Sequence, residues 1–134
     1  MGVKPPAGGS MVAELDLLAF IRRSIPSVWA LDVLLLVHKA PTRSWSAVEL
    51  VGELRASDAV VLGVLAGFQR DGLIAQGEDG RFQFAPAAEL LEELTVALAE
   101  AYAERPVAVI NAIAASDLKL QTLADAFRLN PRRP

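Results

Sequence analysis

The sequence predicts one mainly α-helical domain that carries a single small β-hairpin. Apolar residues recur at helical spacing along most of the chain, and serine, proline and glycine stand where the helical runs begin or end. Two short strand-like runs, Leu73–Gln76 and Arg81–Phe84, flank an Asp-Gly turn. The length of 134 residues fits one domain, because single domains commonly have about 100–200 residues.

Four helices are predicted before the hairpin from apolar spacing and from their end residues. They cover Met11–Arg23, Pro26 to the residue before Pro41, Ser46–Arg55 and Ser57–Asp71. Pro26 stands at a helix-start position after Ser24. Ser46 and Glu49 have the spacing of a capping box, in which side chain and backbone satisfy each other reciprocally. The fourth helix has Ser57 as its N-cap and ends at a glycine.

Three further helices are predicted after the hairpin. Pro86 begins a long amphipathic helix that ends before Pro106, a shorter helix covers Val107–Ala114, and Ser116 caps the last one. The apolar stripe of the long helix is a candidate dimer contact. It could equally pack against the core of its own chain. Its members are Leu91, Leu94, Leu98 and Tyr102.

The chain is expected to have three parts. Residues 1–10 are rich in proline and glycine and form a flexible leader. Residues 11–128 form the domain, whose C-terminal helical extension covers about 86–128, and residues 129–134 form a flexible tail.

Composition favours a folded protein with an interaction surface. Hydrophobic residues make up 53% and charged residues 22%, which is too apolar for a disordered chain. A mean hydropathy of +0.36 is high for a small domain and predicts an exposed apolar patch or a subunit interface. The net charge of −3 argues against a general polyanion binder.

The chemistry-bearing residues point away from an enzyme. The chain has no cysteine and one histidine, which excludes disulfides, cysteine-containing zinc sites and a thiol nucleophile. We therefore expect no enzymatic activity, no metal and no cofactor. His38 is expected at a helix end or at the edge of the core. The longest apolar stretch, Val28–Val37, is shorter than the about 20 residues that span a bilayer, so a cytoplasmic protein without membrane contact is expected.

The order of a capped helix, a tight turn, a second helix and a polar-tipped hairpin resembles a winged helix-turn-helix domain. The pattern runs from Trp45 to Phe84, about a third of the chain. Trp45 stands where such domains often have a short strand that joins the hairpin, and Phe68–Ile74 resembles the usual exit from the second helix. The additional N- and C-terminal helices are similar to those that bacterial regulators of this superfamily use for dimerisation.

This resemblance implies a transcriptional regulator that binds DNA. The second helix of the motif, Ser57–Asp71, would enter the major groove, and the hairpin would touch the DNA backbone or minor groove. The residues that would meet phosphates or bases are Arg43, Arg55, Gln69, Arg70 and Arg81.

The outward side of that second helix suggests a different partner. A helical projection places small or apolar residues there, where base-reading helices carry hydrogen-bonding side chains. These residues are Ala59, Val60, Gly63, Ala66 and Gly67, with Arg70 beside them. Residues Thr42–Ala85 also hold four basic and six acidic residues, a net charge of −2, which is unfavourable for phosphate contacts.

The alternative hypothesis is therefore a protein-interaction module on the same fold. In this hypothesis the smooth helix face packs against a partner, a second subunit or the C-terminal helices of the chain itself. Regulation through DNA and interaction with protein both remain open from the sequence.

Overall fold

The computed structural model describes residues 14–115, which contain six helices and one two-stranded antiparallel sheet. The helices and strands are α1 (Glu14–Ser24), α2 (Val28–Lys39), α3 (Ala47–Leu54), α4 (Asp58–Arg70), β1 (Ile74–Gln76), β2 (Phe82–Phe84), α5 (Glu89–Glu104) and α6 (residues 106–115). This confirms the prediction of a mainly helical chain with one hairpin. The predicted leader, the start of the first helix at Met11, the helix capped by Ser116 and the C-terminal tail lie outside the described residues.

The predicted starts of α3 and α4 are confirmed, and each is set by a local serine cap. The Glu49 amide donates to Ser46 Oγ and the Ser46 amide donates to Glu49 Oε1, both at 3.0 Å, so the predicted capping box is present. Ser57 Oγ accepts from the Val60 amide at 3.2 Å at the start of α4. The expectation that α2 begins at Pro26 was wrong, because Ser27 is its N-cap.

The start of α5 also differs from the prediction. The helix begins at Glu89 rather than at Pro86, and its N-cap residue, Ala88, makes no side-chain capping bond. The backbone before it is used elsewhere: the Ala85 amide donates to the Leu73 carbonyl at 3.0 Å, and the Ala87 amide donates to the Gly72 carbonyl at 2.8 Å. These bonds tie the chain to the segment between α4 and β1, and the helix begins three residues later.

The end of α4 is fixed by a glycine, as the sequence predicts. Gly72 has a φ of +78°, and its amide donates to the Gln69 carbonyl at 3.2 Å. The Leu73 amide donates to the Phe68 carbonyl at 2.9 Å. This pair of bonds is the Schellman motif, which ends a helix and reverses the chain. The chain is thereby directed into β1.

The hairpin is joined to the loop that precedes α3. Ile74 pairs with Phe84 and Gln76 with Phe82, and a turn at Gly77–Gly80 connects the two strands. Trp45 forms an isolated antiparallel bridge with Phe82, through two backbone hydrogen bonds of 2.7 Å. The loop that leads into α3 therefore lies along the edge of β2, which is the place that the resemblance implies for Trp45.

The core is built around α2. Five of its side chains are buried: Ala30, Leu31, Val33, Leu34 and Val37. Helices α3, α4 and α5 and strand β2 all pack against α2, which confirms its predicted central place. Buried side chains of α5 and α6, among them Leu98 and Ile113, belong to the same core. None of the helices within residues 14–115 has the length and hydropathy needed to cross a membrane.

Candidate functional site

The inward and outward sides of α4 follow the helical projection. Val61, Leu65 and Phe68 are at most 1% exposed and face the core. On the outward side Ala59, Gly63 and Ala66 are exposed, whereas Val60 and Gly67 are half-buried. Three of the five residues that the sequence assigned to the outward side are therefore open to solvent, and Val60 and Gly67 are more covered than expected.

One further residue of this surface was missed. Leu62 is 52% exposed and lies at the flank of the outward side, next to Gly63. Its apolar side chain in a solvent-facing position was the signal that could have identified it. We call Ala59, Leu62, Gly63 and Ala66 the α4 face.

Within the described chain, no neighbouring atom requires positions 63 and 67 of α4 to be glycine. A Cβ atom added to Gly63 would have no heavy atom within 4 Å beyond its immediate helix, and one added to Gly67 would meet only Arg70 Nη2 at 3.6 Å. A glycine inside a helix costs about 1 kcal/mol relative to alanine. Neither α5 nor α6 covers Gly63, so residues 14–115 provide no intramolecular occupant for the α4 face.

The candidate DNA-binding residues lie at three places in the fold: the end of α3, the end of α4, and the start of α3 beside the hairpin. Arg55 has a left-handed backbone conformation at the end of α3, whereas Gln69 and Arg70 lie at the far end of α4. The 13 residues of α4 span about 20 Å. Arg70 Nε donates to Asp71 Oδ1 at 3.2 Å, and its side chain remains 72% exposed.

Arg43 and Arg81 meet at one carboxylate, Glu49, at the start of α3. Arg81 Nη2 lies 2.7 Å from Glu49 Oε1, and Arg43 Nη2 lies 4.0 Å from the same oxygen. The Ser46 amide also donates to this oxygen. The Ser46 hydrogen bond, reinforced by the charges of Arg81 and Arg43, holds the pKa of Glu49 below its usual value. We call Arg43, Ser46, Glu49 and Arg81 the Glu49 cluster.

Sequence reasoning did not connect Glu49 with these arginines. It identified Glu49 only through the capping box, because that motif is local, whereas Arg81 lies 32 positions away. The pairing depends on the hairpin being placed against the loop that contains Trp45. The resemblance to winged helix-turn-helix domains implies that placement for Trp45, but it does not tell which side chains meet across it.

Trp45 lies directly beside the Glu49 cluster. It is 4% exposed, and its indole Nε1 has no hydrogen-bond partner among the described residues. The Arg43 guanidinium carbon lies 3.5 Å above the centre of the Trp45 ring, a cation–π contact that fixes the position of Arg43.

The stripe proposed as a dimer contact packs inward. Leu94 is 5% exposed and Leu98 is fully buried, while Leu91 and Tyr102 are half-buried against the same core. The core is therefore the neighbour of this stripe in the protomer, which is one of the two interpretations that the sequence left open. The formation of a dimer remains a prediction.

The only histidine, His38, is half-buried near the end of α2, and its ring meets Phe84 edge-on with centroids 5.2 Å apart. This is the position at the edge of the core that the sequence predicts. In the described part of the chain, no three histidine, aspartate or glutamate side chains are arranged to hold a metal ion.

Comparisons with protein-family models, with curated proteins and with solved structures find no match to this chain.

Proposed function

We propose that this chain is a non-enzymatic protein-interaction module that self-associates by pairing its α4 face with α4 of a second copy. The observation that supports this most strongly is the surface around Gly63, which no side chain of residues 14–115 covers, on a helix whose other side is fully packed. An exposed apolar helix surface of this kind is typical of a contact with another protein.

The arrangement of residues on α4 favours a second copy over an unrelated partner. Ala59 and Gly67 lie four positions before and after Gly63, and Val60 and Ala66 lie three positions before and after it. Two antiparallel copies related by a two-fold axis through Gly63 would therefore place Ala59 opposite the partner's Gly67, and the half-buried Val60 opposite the partner's Ala66. Small residues at such a crossing let two helix backbones approach closely.

The charges at the ends of α4 are complementary in the same arrangement. Asp58 is exposed at the start of the helix, and Arg70 is 72% exposed at its end. Antiparallel pairing brings Asp58 of one copy towards Arg70 of the partner subunit, and the reverse pair forms at the other end. Two opposite-charge contacts at the rim would fix the antiparallel direction.

Transcriptional regulation through DNA is the second candidate. It is favoured by the order of α3, a short turn, α4 and the hairpin, with Trp45 joined to Phe82, which matches the arrangement expected of a winged helix-turn-helix. Base reading by α4 is weakly supported, because Ala59, Leu62 and Gly63 offer no side-chain hydrogen bond to a base edge. A DNA groove and a second copy would compete for the same face of α4.

A cysteine crosslink tests the self-association directly, because the natural chain has no cysteine. In Gly63→Cys the new thiol lies on the proposed two-fold axis and meets its own copy, so mild oxidation should give a covalent dimer. Gly52→Cys is the matched control, since Gly52 is an exposed glycine on α3 with the same open surroundings. Equal crosslinking of both variants, or none with Gly63→Cys, would refute the proposed arrangement.

Gly63→Arg separates the two candidate functions. We expect it to convert the self-associated protein into a monomer, measured by light scattering after size exclusion, and to leave binding to random-sequence duplex DNA unchanged or stronger. An unchanged oligomeric state would count against self-association. Salt-sensitive DNA binding that disappears in Arg70→Ala would instead favour the regulator.

A further inference from the structure

We infer that Arg43 and Arg81 form a phosphate-binding site that the carboxylate of Glu49 occupies, so that Glu49 competes internally with a phosphate-bearing ligand. This inference goes beyond self-association and concerns a different surface, at the start of α3 and the base of the hairpin. Both a nucleic-acid backbone and a free phosphate offer the phosphate oxygens that such a site would bind.

Both guanidinium groups are positioned by contacts that do not involve Glu49. Arg81 Nε donates to Ser44 Oγ at 3.0 Å, and Arg81 Nη2 donates to the Ser44 carbonyl at 3.1 Å. Arg43 is stacked on Trp45. Departure of the Glu49 side chain would therefore leave two arginines already oriented around a vacated oxyanion position, which favours ligand binding by preorganisation.

The donors around Glu49 suit a phosphate oxygen. Glu49 Oε1 receives the Ser46 amide at 3.0 Å and Arg81 Nη2 at 2.7 Å, with Arg43 Nη2 at 4.0 Å. Arginine side chains and backbone amides are the usual partners of phosphate in proteins. Two guanidinium charges face a single carboxylate, so the cluster keeps a positive excess.

A ligand can reach this cluster from solvent. The side chains of Arg43, Glu49 and Arg81 are 52%, 40% and 34% exposed. Ion pairs at such exposure contribute only about 0–1 kcal/mol, so displacing Glu49 from the arginines costs little. A free phosphate at neutral pH carries more charge than one carboxylate, and a nucleic-acid backbone brings several singly charged phosphates at once, so either ligand can replace it.

The test removes the charge of Glu49 while keeping its cap. In Glu49→Gln the amide oxygen still accepts from Ser46, because glutamine also serves in a capping box. Glu53→Gln is the matched control: it makes the same charge change on the same helix, and Glu53 is exposed and forms no ion pair among the described residues. Circular dichroism and a thermal melt establish that both variants fold.

Two ligands distinguish the sources of the phosphate. Short duplex DNA is titrated by fluorescence anisotropy at low salt, and inorganic phosphate is compared with chloride at equal ionic strength by the shift in melting temperature. We expect Glu49→Gln to bind DNA at least about threefold more tightly than Glu53→Gln, or to gain a larger shift from phosphate. A gain with DNA alone identifies a nucleic-acid backbone, and a gain with phosphate alone identifies a small phosphate compound.

A second substitution tests whether the gain in ligand binding depends on Arg81. In the Glu49→Gln background, Arg81→Ala should abolish the gain. Arg23→Ala, which removes the same charge from an exposed position at the end of α1, should leave most of it. Equal behaviour of Glu49→Gln and Glu53→Gln with both ligands would overturn the inference. A gain that survives Arg81→Ala would also overturn it.

Discussion

Ser24 Oγ donates a hydrogen bond of 2.9 Å to Asp71 Oδ2, across 47 positions of the chain. Ser24 is the last residue of α1 and is 3% exposed, and Asp71 is the C-cap of α4, with its side chain 15% exposed. This bond joins α1 to the end of the helix that carries the α4 face. It helps to hold α4 in the orientation that exposes Gly63.

Ser24→Ala should destabilise the protein by about 1–2 kcal/mol. The substitution leaves a largely buried carboxylate oxygen without its donor, and an unsatisfied buried acceptor costs more than a hydrogen bond contributes. Urea unfolding followed by circular dichroism measures the change in the free energy of unfolding. Arg70→Ala, which removes the exposed partner of Asp71, should cost about 0–1 kcal/mol. Equal losses in the two variants would show that burial of the Ser24–Asp71 bond contributes nothing.

Glu49 should make the protein sensitive to acid. Its pKa in the folded protein is lowered, mainly by the Ser46 hydrogen bond, from an ordinary value of 4.5. Because the folded state favours the charged form, this stabilisation is fully present above pH 4.5 and is lost as the pH falls through the lower folded pKa. Melting temperatures measured across the acid range should therefore fall more steeply in the natural protein than in Glu49→Gln. Parallel curves would contradict the assigned electrostatics.

Leu98 should be essential for folding of the protomer. Leu98→Ala removes a fully buried side chain from the core and should cost about 2–5 kcal/mol in the free energy of unfolding. Leu90→Ala, on the same helix at a position 55% exposed, should change it by less than about 0.5 kcal/mol. Urea unfolding measures the change in the free energy of unfolding, and size exclusion measures the oligomeric state. A Leu98→Ala protein that keeps its stability but becomes monomeric would assign this stripe to a subunit contact.

The parts of the fold that sequence reasoning predicted are those set by local interactions. Ser46 and Ser57 cap helices within three residues, and Gly72 ends α4 through bonds to the preceding turn. The expected starts at Pro26 and Pro86 were wrong. In the second case, the Ala87 amide is bound by a carbonyl on the other side of the hairpin, which no local pattern reveals.

The candidate site shows the same difference between features that local spacing predicts and features that depend on long-range contacts. Helical periodicity identified the α4 face apart from Leu62, because burial on a single helix follows its own spacing. The stripe that contains Leu98 was recognised as apolar, but periodicity does not tell which neighbour covers it. The resemblance implies that the hairpin joins the Trp45 loop, but it does not specify that Arg81 meets Glu49 there, so this pair was found only in the structure.

The stacking of Arg43 on Trp45 gives this protein an optical reporter. The chain has two tryptophans, and Trp29 is 41% exposed whereas Trp45 is 4% exposed beneath the guanidinium. A positive charge at 3.5 Å from the ring changes the electric field at the indole and therefore its fluorescence emission. With Trp29 replaced by phenylalanine, the remaining emission would report whether Arg43 stays on the ring, without any attached dye.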